Sequence, residues 1–282
     1  IEMTEGIASG QVFPVGTTTV TYVVTDASGN QSTMTFTVTV VDNEDPMITC
    51  PGNIEVSTAE GENFAVVTFE DATATDNCEV TVTQTGGQAS GSEFGPGVHT
   101  IEYTATDASG NTAVCSFTIT VEDDEDPTIT CPENIVQPND PGLCGAAVEF
   151  AMPEFADNSG QVTIEQLTGP ASGEFFEVGT TTVTFRATDA AGNTAECSFD
   201  VTVNDTEAPT TETMENITVN AEQEFCGAVV DFGMIGADDN CGLESVEITE
   251  GLASGEVFPV GTTTVTWTVT DIHGNTTTVS FD

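Results

Sequence analysis

Four copies of one turn constrain this chain more than any other feature. Asp26-Ala-Ser-Gly-Asn30, Asp107-Ala-Ser-Gly-Asn111, Asp189-Ala-Ala-Gly-Asn193 and Asp271-Ile-His-Gly-Asn275 recur at intervals of 81, 82 and 82 residues, which defines a tandem array. The turn has a physical basis. Asp accepts hydrogen bonds from backbone two residues on, Gly takes positive φ and Asn tolerates the left-handed region, so D-x-x-G-N between alternating runs predicts a β-hairpin loop. Val20, Tyr22 and Val24 share one register before the first copy, separated by Thr21 and Val23, and Ile101, Tyr103 and Ala105 alternate with Glu102 and Thr104 before the second. Met34, Phe36, Val38 and Val40 follow the first copy, and Cys115, Phe117, Ile119 and Val121 the second. This period of two predicts half-buried antiparallel strands, with Tyr22, Tyr103 and Trp267 facing inward.

The array divides into segments 1–41, 42–123, 124–204 and 205–282. The first is the second half of a repeat, which needs a first half to close. Each boundary carries an acidic run ending near a proline: Asp42-Asn-Glu-Asp-Pro46, Asp123-Asp-Glu-Asp-Pro127 and Asp205-Thr-Glu-Ala-Pro209. Proline at a fixed place after the run predicts a short, stiff linker. Within the second repeat, strands are expected from Ile48 to Val56 with a break at Pro51, from Ala65 to Phe69 and from Val80 to Gln84. A Ser-Gly-x-x-Phe-x-x-Gly motif follows at Ser90–Gly97, with Phe94 plugging one end of the core. Several short strands, regular turn signals and no helical period give an all-β class: tandem immunoglobulin-like β-sandwiches of about 80 residues, stacked as an elongated rod.

Composition bears on what such an array can bind. There are 47 acidic residues against a single basic one, Arg186, for a net charge of −46. Such a surface repels nucleic acid and anionic membrane and attracts cations. No apolar run is long enough to span a bilayer. Repeats this small are marginal unless stapled, and eight cysteines in regular slots point to an oxidising, extracellular compartment.

The cysteines fall into four slots. Cys50 and Cys131 hold the Thr-Cys-Pro slot, Cys115 and Cys197 the Cys-Ser-Phe slot, and the fourth repeat has Thr213 and Val279 there, so the two slots are filled and emptied together. This predicts Cys50–Cys115 and Cys131–Cys197. Cys115 and Cys197 lie on the inward register, and Met34 in the same slot marks it as core. The Cys-Gly-Ala and Asp-Asn-Cys slots are both filled only in the fourth repeat, which predicts Cys226–Cys241. Cys78 and Cys144 are then left over, either as free thiols or as a bridge to each other. The narrow Cα separation that a bridge tolerates favours free thiols. Only two histidines are present, and no Cys-x-x-Cys spacing occurs, which argues against a thiolate metal site. His99 and His273 read as solvated surface residues.

Oxygen-bearing side chains recur at three places. The boundary set is Asp42, Glu44 and Asp45; Asp123, Glu125 and Asp126; and Asp205 and Glu207. The mid-repeat set is Asp76-Asn77, Asp157-Asn158 and Asp239-Asn240. The third is the Asp and Asn of each hairpin, which turn chemistry alone explains. Calcium takes six to eight hard oxygen ligands, and a linker meeting two loop ends can supply several, so the first two sets are candidate calcium ligands. The competing explanation is a solvated acidic linker and a capped loop. No Ser/His/Asp or Cys/His set is present, which argues against an enzyme.

The Ile-Thr-Cys-Pro at 48–51 and 129–132, the Asp-Asn-Cys at 76–78 and 239–241, the Ser-Gly-x-x-Phe-x-x-Gly motif, the Gly-Thr-Thr-Thr-Val-Thr at 16–21, 179–184 and 261–266, and the T-D-x-x-G-N hairpin together resemble the hyalin repeat (HYR) family. The resemblance covers essentially the whole chain. It implies immunoglobulin-like modules of extracellular, cell-surface proteins linked to adhesion. The scarcity of Lys and Arg and the Cys-Gly-Ala variant look most like the giant surface adhesins of Bacteroidetes. The expected role is a spacer or shaft segment that positions a distal binding element. Its partners would be adjacent repeats of a longer chain, other surface filaments, or a ligand reached through a distal tip. The alternative is a glycan- or protein-binding module acting through its loops.

Overall fold

A computed structural model describes residues 1–223 and 226–282. It is all-β, without a helix among the described residues. The chain divides into two compact units, residues 1–125 and 126–282.

In the first unit, residues 42–123 form a complete sandwich. One sheet orders Ile54–Ser57, Thr112–Glu122, Gly97–Asp107 and Val80–Gly86; its first pair is parallel and the others antiparallel. Facing it are two short antiparallel pairs, Met47–Thr49 with Thr73–Thr75 and Ala65–Val67 with Ser92–Phe94. The initial strand splits across Pro51 because proline brings no N–H to a ladder, so its halves join opposite sheets. Thr73–Thr75 and Ser92–Phe94 were not legible as strands, since three residues show no period.

Between the sheets Phe94, Ile101, Tyr103, Phe117, Ile119 and Val121 are buried, with Phe69 edge-on to Phe117 at 5.3 Å. The motif serine explains itself here. Ser90 Oγ donates to the Phe69 carbonyl and accepts from the Phe69 N–H, both at 2.8 Å, pinning the second strand region to the Phe94 loop. Ser254 and Phe232 repeat the arrangement at 2.7 and 2.8 Å.

Residues 1–41 contribute only Glu2–Glu5, Gly16–Thr25 and Gln31–Val40, a three-stranded antiparallel sheet. Met34 is 61% exposed, which corrects its reading as core. Its register is that of Cys115, but no described strand covers that face. Tyr22 is half-buried and stacks on Phe36 at 6.4 Å.

The second unit holds two sandwiches of the same design. Ile135–Pro138, Thr194–Asn204, Gly179–Asp189 and Val162–Thr168 form the four-stranded sheet of one. Leu243–Glu250, Val265–Asp271 and Thr276–Phe281 form a three-stranded sheet in the other, with Trp267 in its core.

The structure joins Cys50 to Cys115 and Cys131 to Cys197, tying the end of the first strand to the last strand in the second and third segments. In the chain-entropy picture each such loop is worth about 4 kcal/mol. The third bond differs from the sequence reading. Cys241 is bonded to Cys144, not to Cys226, and both Cys226 and Cys78 are free. The reason is positional. Cys144 follows the loop 139–143, which is fastened to the linker leaving its repeat: Thr206 N donates to Asn139 Oδ1 at 3.0 Å, and Gly142 N to Glu207 Oε2 at 2.8 Å. Cys241 lies within 4.8 Å of Asp205, in the linker entering the fourth repeat. The two slots therefore sit at opposite ends of a repeat and meet across a boundary.

Candidate metal centre at the repeat boundaries

The hairpin supplies the first component. Asp271 Oδ1 accepts the N–H groups of His273 and Asn275, both at 2.8 Å, while Oδ2 accepts Asn275 Nδ2 at 2.8 Å. Asp107 is held in the same way by Ser109, Gly110 and Asn111. Gly110 and Gly274 take φ of 94° and 90°, but no other described residue type has positive φ. Asn is thus required for its side-chain amide, not for left-handed backbone. Burial pushes the Asp107 and Asp271 carboxyls up, but the Asn amide and backbone donors outweigh it, so both lie below the ordinary carboxylate range.

The linker is the second component, and the hairpin reaches it. Asn275 Nδ2 also approaches the Asp205 carbonyl at 3.4 Å, and Asn111 Nδ2 approaches that of Asp42 at 3.3 Å. Asp271 is fully buried and Asp107 nearly so, whereas Asp26, in the partial repeat, is exposed. The hairpin carboxylate therefore does more than shape a turn.

The mid-repeat loop is the third. Asp239 Oδ1 caps the N–H groups of Cys241 and Gly242 at 2.9 and 3.1 Å, and Asp76 Oδ2 caps Cys78 N at 2.8 Å. In the second unit, carboxylate oxygens of Asp205, Asp239 and Asp271 lie within 4.8 Å of one another. Asp42, Asp76 and the Cys78 sulfur form the corresponding cluster in the first unit. Asp42 is 8% exposed, and its Oδ2 is buried without a hydrogen-bond partner. The Cys78 thiol beside it, followed by the Glu44 N–H, holds Asp42 below the usual carboxylate range. The thiol is pushed up to about 11 by that carboxylate first, then by burial.

The rest of the candidate set divides. Glu125 and Glu207 are turned away: each accepts a backbone N–H from the loop of the preceding repeat, Gly61 and Gly142, at 2.8 Å. Glu44 Oε2 accepts Asn77 Nδ2 at 3.3 Å. Asn240 Nδ2 donates to the Leu143 carbonyl at 2.9 Å, fastening two repeats beside the Cys144–Cys241 bond. Asp45 and Asp126 are exposed and outside the clusters. Asp157 Oδ2 caps Ser159 N at 2.9 Å, leaving its buried Oδ1 without a partner. Asp123 Oδ1 accepts Glu125 N at 3.3 Å, and Asn158 is half-buried.

His273 lies on the surface as expected and His99 is half-buried, and both have polar partners. His273 Nδ1 lies 3.1 Å from Asp205 Oδ2, and His99 Nε2 lies 2.7 Å from the Gly95 carbonyl with its ring edge-on to Phe94. Sequence reasoning missed His273 because the other hairpins have Ser or Ala in its place. Arg186 cannot neutralise the clusters, since it pairs with Glu196 at 2.6 Å on the surface. A cleft of about 550 Å³ lined by Glu207, Asp238, Asp239 and Asn240 opens beside the second cluster. Close carboxylates, a buried oxygen without a donor and no nearby Lys or Arg fit a hard cation with oxygen ligands.

Sandwiches stapled by disulfides and joined through acidic boundaries define a tandem immunoglobulin-like array. The chain belongs to the HYR domain family, whose model matches residues 1–40, 41–121, 122–203 and 204–282. It is 38% identical over 283 aligned residues to hyalin of the sea urchin Strongylocentrotus purpuratus, covering 96% of this chain and 23% of that protein. It is 35% identical to hyalin of Lytechinus variegatus, covering 94% of this chain and 52% of that protein. The chain thus spans about a quarter to a half of the length of these relatives. These are animal proteins, and they do not support the expected likeness to Bacteroidetes adhesins. Among solved structures, the protocadherin GammaB4 extracellular domain aligns over 94% of this chain and 53% of its own, at 18% identity and a TM-score of 0.33.

Proposed function

We propose that the chain is a structural spacer of an extracellular, adhesion-type protein, with repeats acting in series and calcium held at their boundaries. The observation that carries this reading is the convergence of linker, mid-loop and hairpin carboxylates, Asp205, Asp239 and Asp271, where one repeat hands over to the next. A device built from repeated positions suits a role that every repeat shares. A catalytic or ligand-specific site would instead be expected once.

At the boundary that opens the fourth segment Asp205, Asp239 and Asp271 would hold the ion; at the one that opens the second, Asp42 and Asp76 would. The ion supplies positive charge that offsets carboxylate repulsion, with water and backbone carbonyls completing its shell. The residues themselves order the two loops and the linker. Three disulfides favour an oxidising, extracellular setting.

Small-angle scattering of the full chain in millimolar calcium and then in excess chelator, at matched ionic strength, tests the reading. The expected result is a more flexible particle on chelation. Superimposable profiles would leave the acidic residues as a solubility coat and remove calcium from the account.

A further inference from the structure

Two cysteines are left over, and the bonded pair says what they are for. Cys144 holds the Cys-Gly-Ala slot of one repeat and Cys241 the Asp-Asn-Cys slot of the next. Cys226 stands in the first of these slots. Its carbonyl accepts Val260 N at 3.2 Å as that of Cys144 accepts Val178 N at 3.3 Å, and Gly227–Val229 pairs with Val257–Pro259 as Gly145–Ala147 pairs with Phe175–Glu177. Cys78 stands in the second slot. Its N–H is capped by Asp76 as that of Cys241 is by Asp239, and its sulfur lies within 4.8 Å of Asp42 as that of Cys241 does of Asp205. Where this chain lacks cysteine in the first slot, it also lacks it in the second slot of the next repeat: Asn63 and Ser159.

We infer that Cys226 and Cys78 are half-sites of inter-repeat disulfides. Cys226 takes the Asp-Asn-Cys cysteine of a HYR repeat joined after it, and Cys78 takes the Cys-Gly-Ala cysteine of one joined before it. The bond forms by thiol–disulfide exchange: two thiols lose two electrons and two protons to an oxidised glutathione-type disulfide, which leaves as two thiols. Cys226 is exposed and Cys78 is half-buried. The pairing is covalent and independent of calcium, so its failure and that of the proposed metal centre are separable.

The test maps disulfides by peptide mass spectrometry after alkylation in glutathione redox buffer. In the full chain, Cys144–Cys241 is linked and Cys78 and Cys226 are alkylated. In Cys144→Ser, Cys241 becomes alkylatable and Cys226 stays so; a Cys226–Cys241 peptide would overturn the inference. The gain-of-function arm appends a second copy of residues 38–123 directly after Asp282, continuing the repeat in register. Cys226 should then be linked to the Cys78 of the appended copy, with normal melting of the extended chain as the folding control. Both thiols remaining alkylatable in that folded chain would equally overturn it.

Discussion

A chain pulled from its ends follows the shortest covalent path, so its disulfides set how far it can be drawn out. That path crosses from Cys50 to Cys115 and from Cys144 to Cys241, hiding 65 and 97 residue steps from the force. Cys131–Cys197 lies on a bypassed branch and hides nothing further while Cys144–Cys241 is intact. At ~3.4 Å per extended residue, less the Cα spans of the two bridges, complete reduction should release about 540 Å of contour length. Single-molecule force extension before and after a reducing pulse measures this directly. In Cys144→Ser the path shifts to Cys131–Cys197, so the oxidised variant should extend about 100 Å further than the unmodified chain. Pairing of Cys226 with Cys241 would give a release of about 480 Å instead. That smaller release, or an oxidised variant no longer than the parent, would refute the assigned connectivity.

Further outcomes follow from the same geometry. Asp239→Asn keeps the Oδ1 acceptor for Cys241 and Gly242 but removes a charge, so it should raise stability by roughly 1 kcal/mol in chelator and lower it in calcium; paired melting curves check the sign reversal. Asp107, Asp189 and Asp271 have folded pKa values below their unfolded ones, so their contribution is present above the unfolded carboxylate pKa of about 3.9 and is lost as pH falls through the folded values. Acid titration by circular dichroism should show a shallower acid limb for Asp189→Asn. Gly87 has φ +82°, and an added Cβ would meet the Thr100 carbonyl at 2.5 Å, so Gly87→Ala should cost on the order of 2–3 kcal/mol in denaturant unfolding. Arg186 lies between two paired strands, so trypsin should leave the folded chain intact and cut the unfolded one once; the fragments should separate on gels only after reduction.

Much of the fold was legible because its signals are local. The D-x-x-G-N turn, the alternation beside it and the co-filled cysteine slots at Cys50/Cys115 and Cys131/Cys197 are readable in one dimension. Cys226 does not pair with Cys241 for an equally physical reason: co-occupancy within a repeat does not bring two slots together, because a sandwich of about 80 residues separates its two ends. The same information, shifted by one repeat, pairs Cys144 with Cys241 and Asn63 with Ser159. Met34 was misread because register fixes a side chain's face, not whether anything covers it. At the candidate site, Asp42, Asp76, Asp205 and Asp239 could be named from recurrence. Asp271 could not be added, because turn chemistry already accounted for it. Glu125 and Glu207 were included on charge alone, whereas their carboxylates are occupied by the backbone of the preceding repeat.

Calorimetric titration of calcium into the chelator-stripped full chain shows whether these boundaries bind a cation. Saturable binding that weakens in Asp239→Asn and is accompanied by a raised melting temperature is the predicted result. Absence of saturable heat at millimolar calcium, with an unchanged melting temperature, would contradict it.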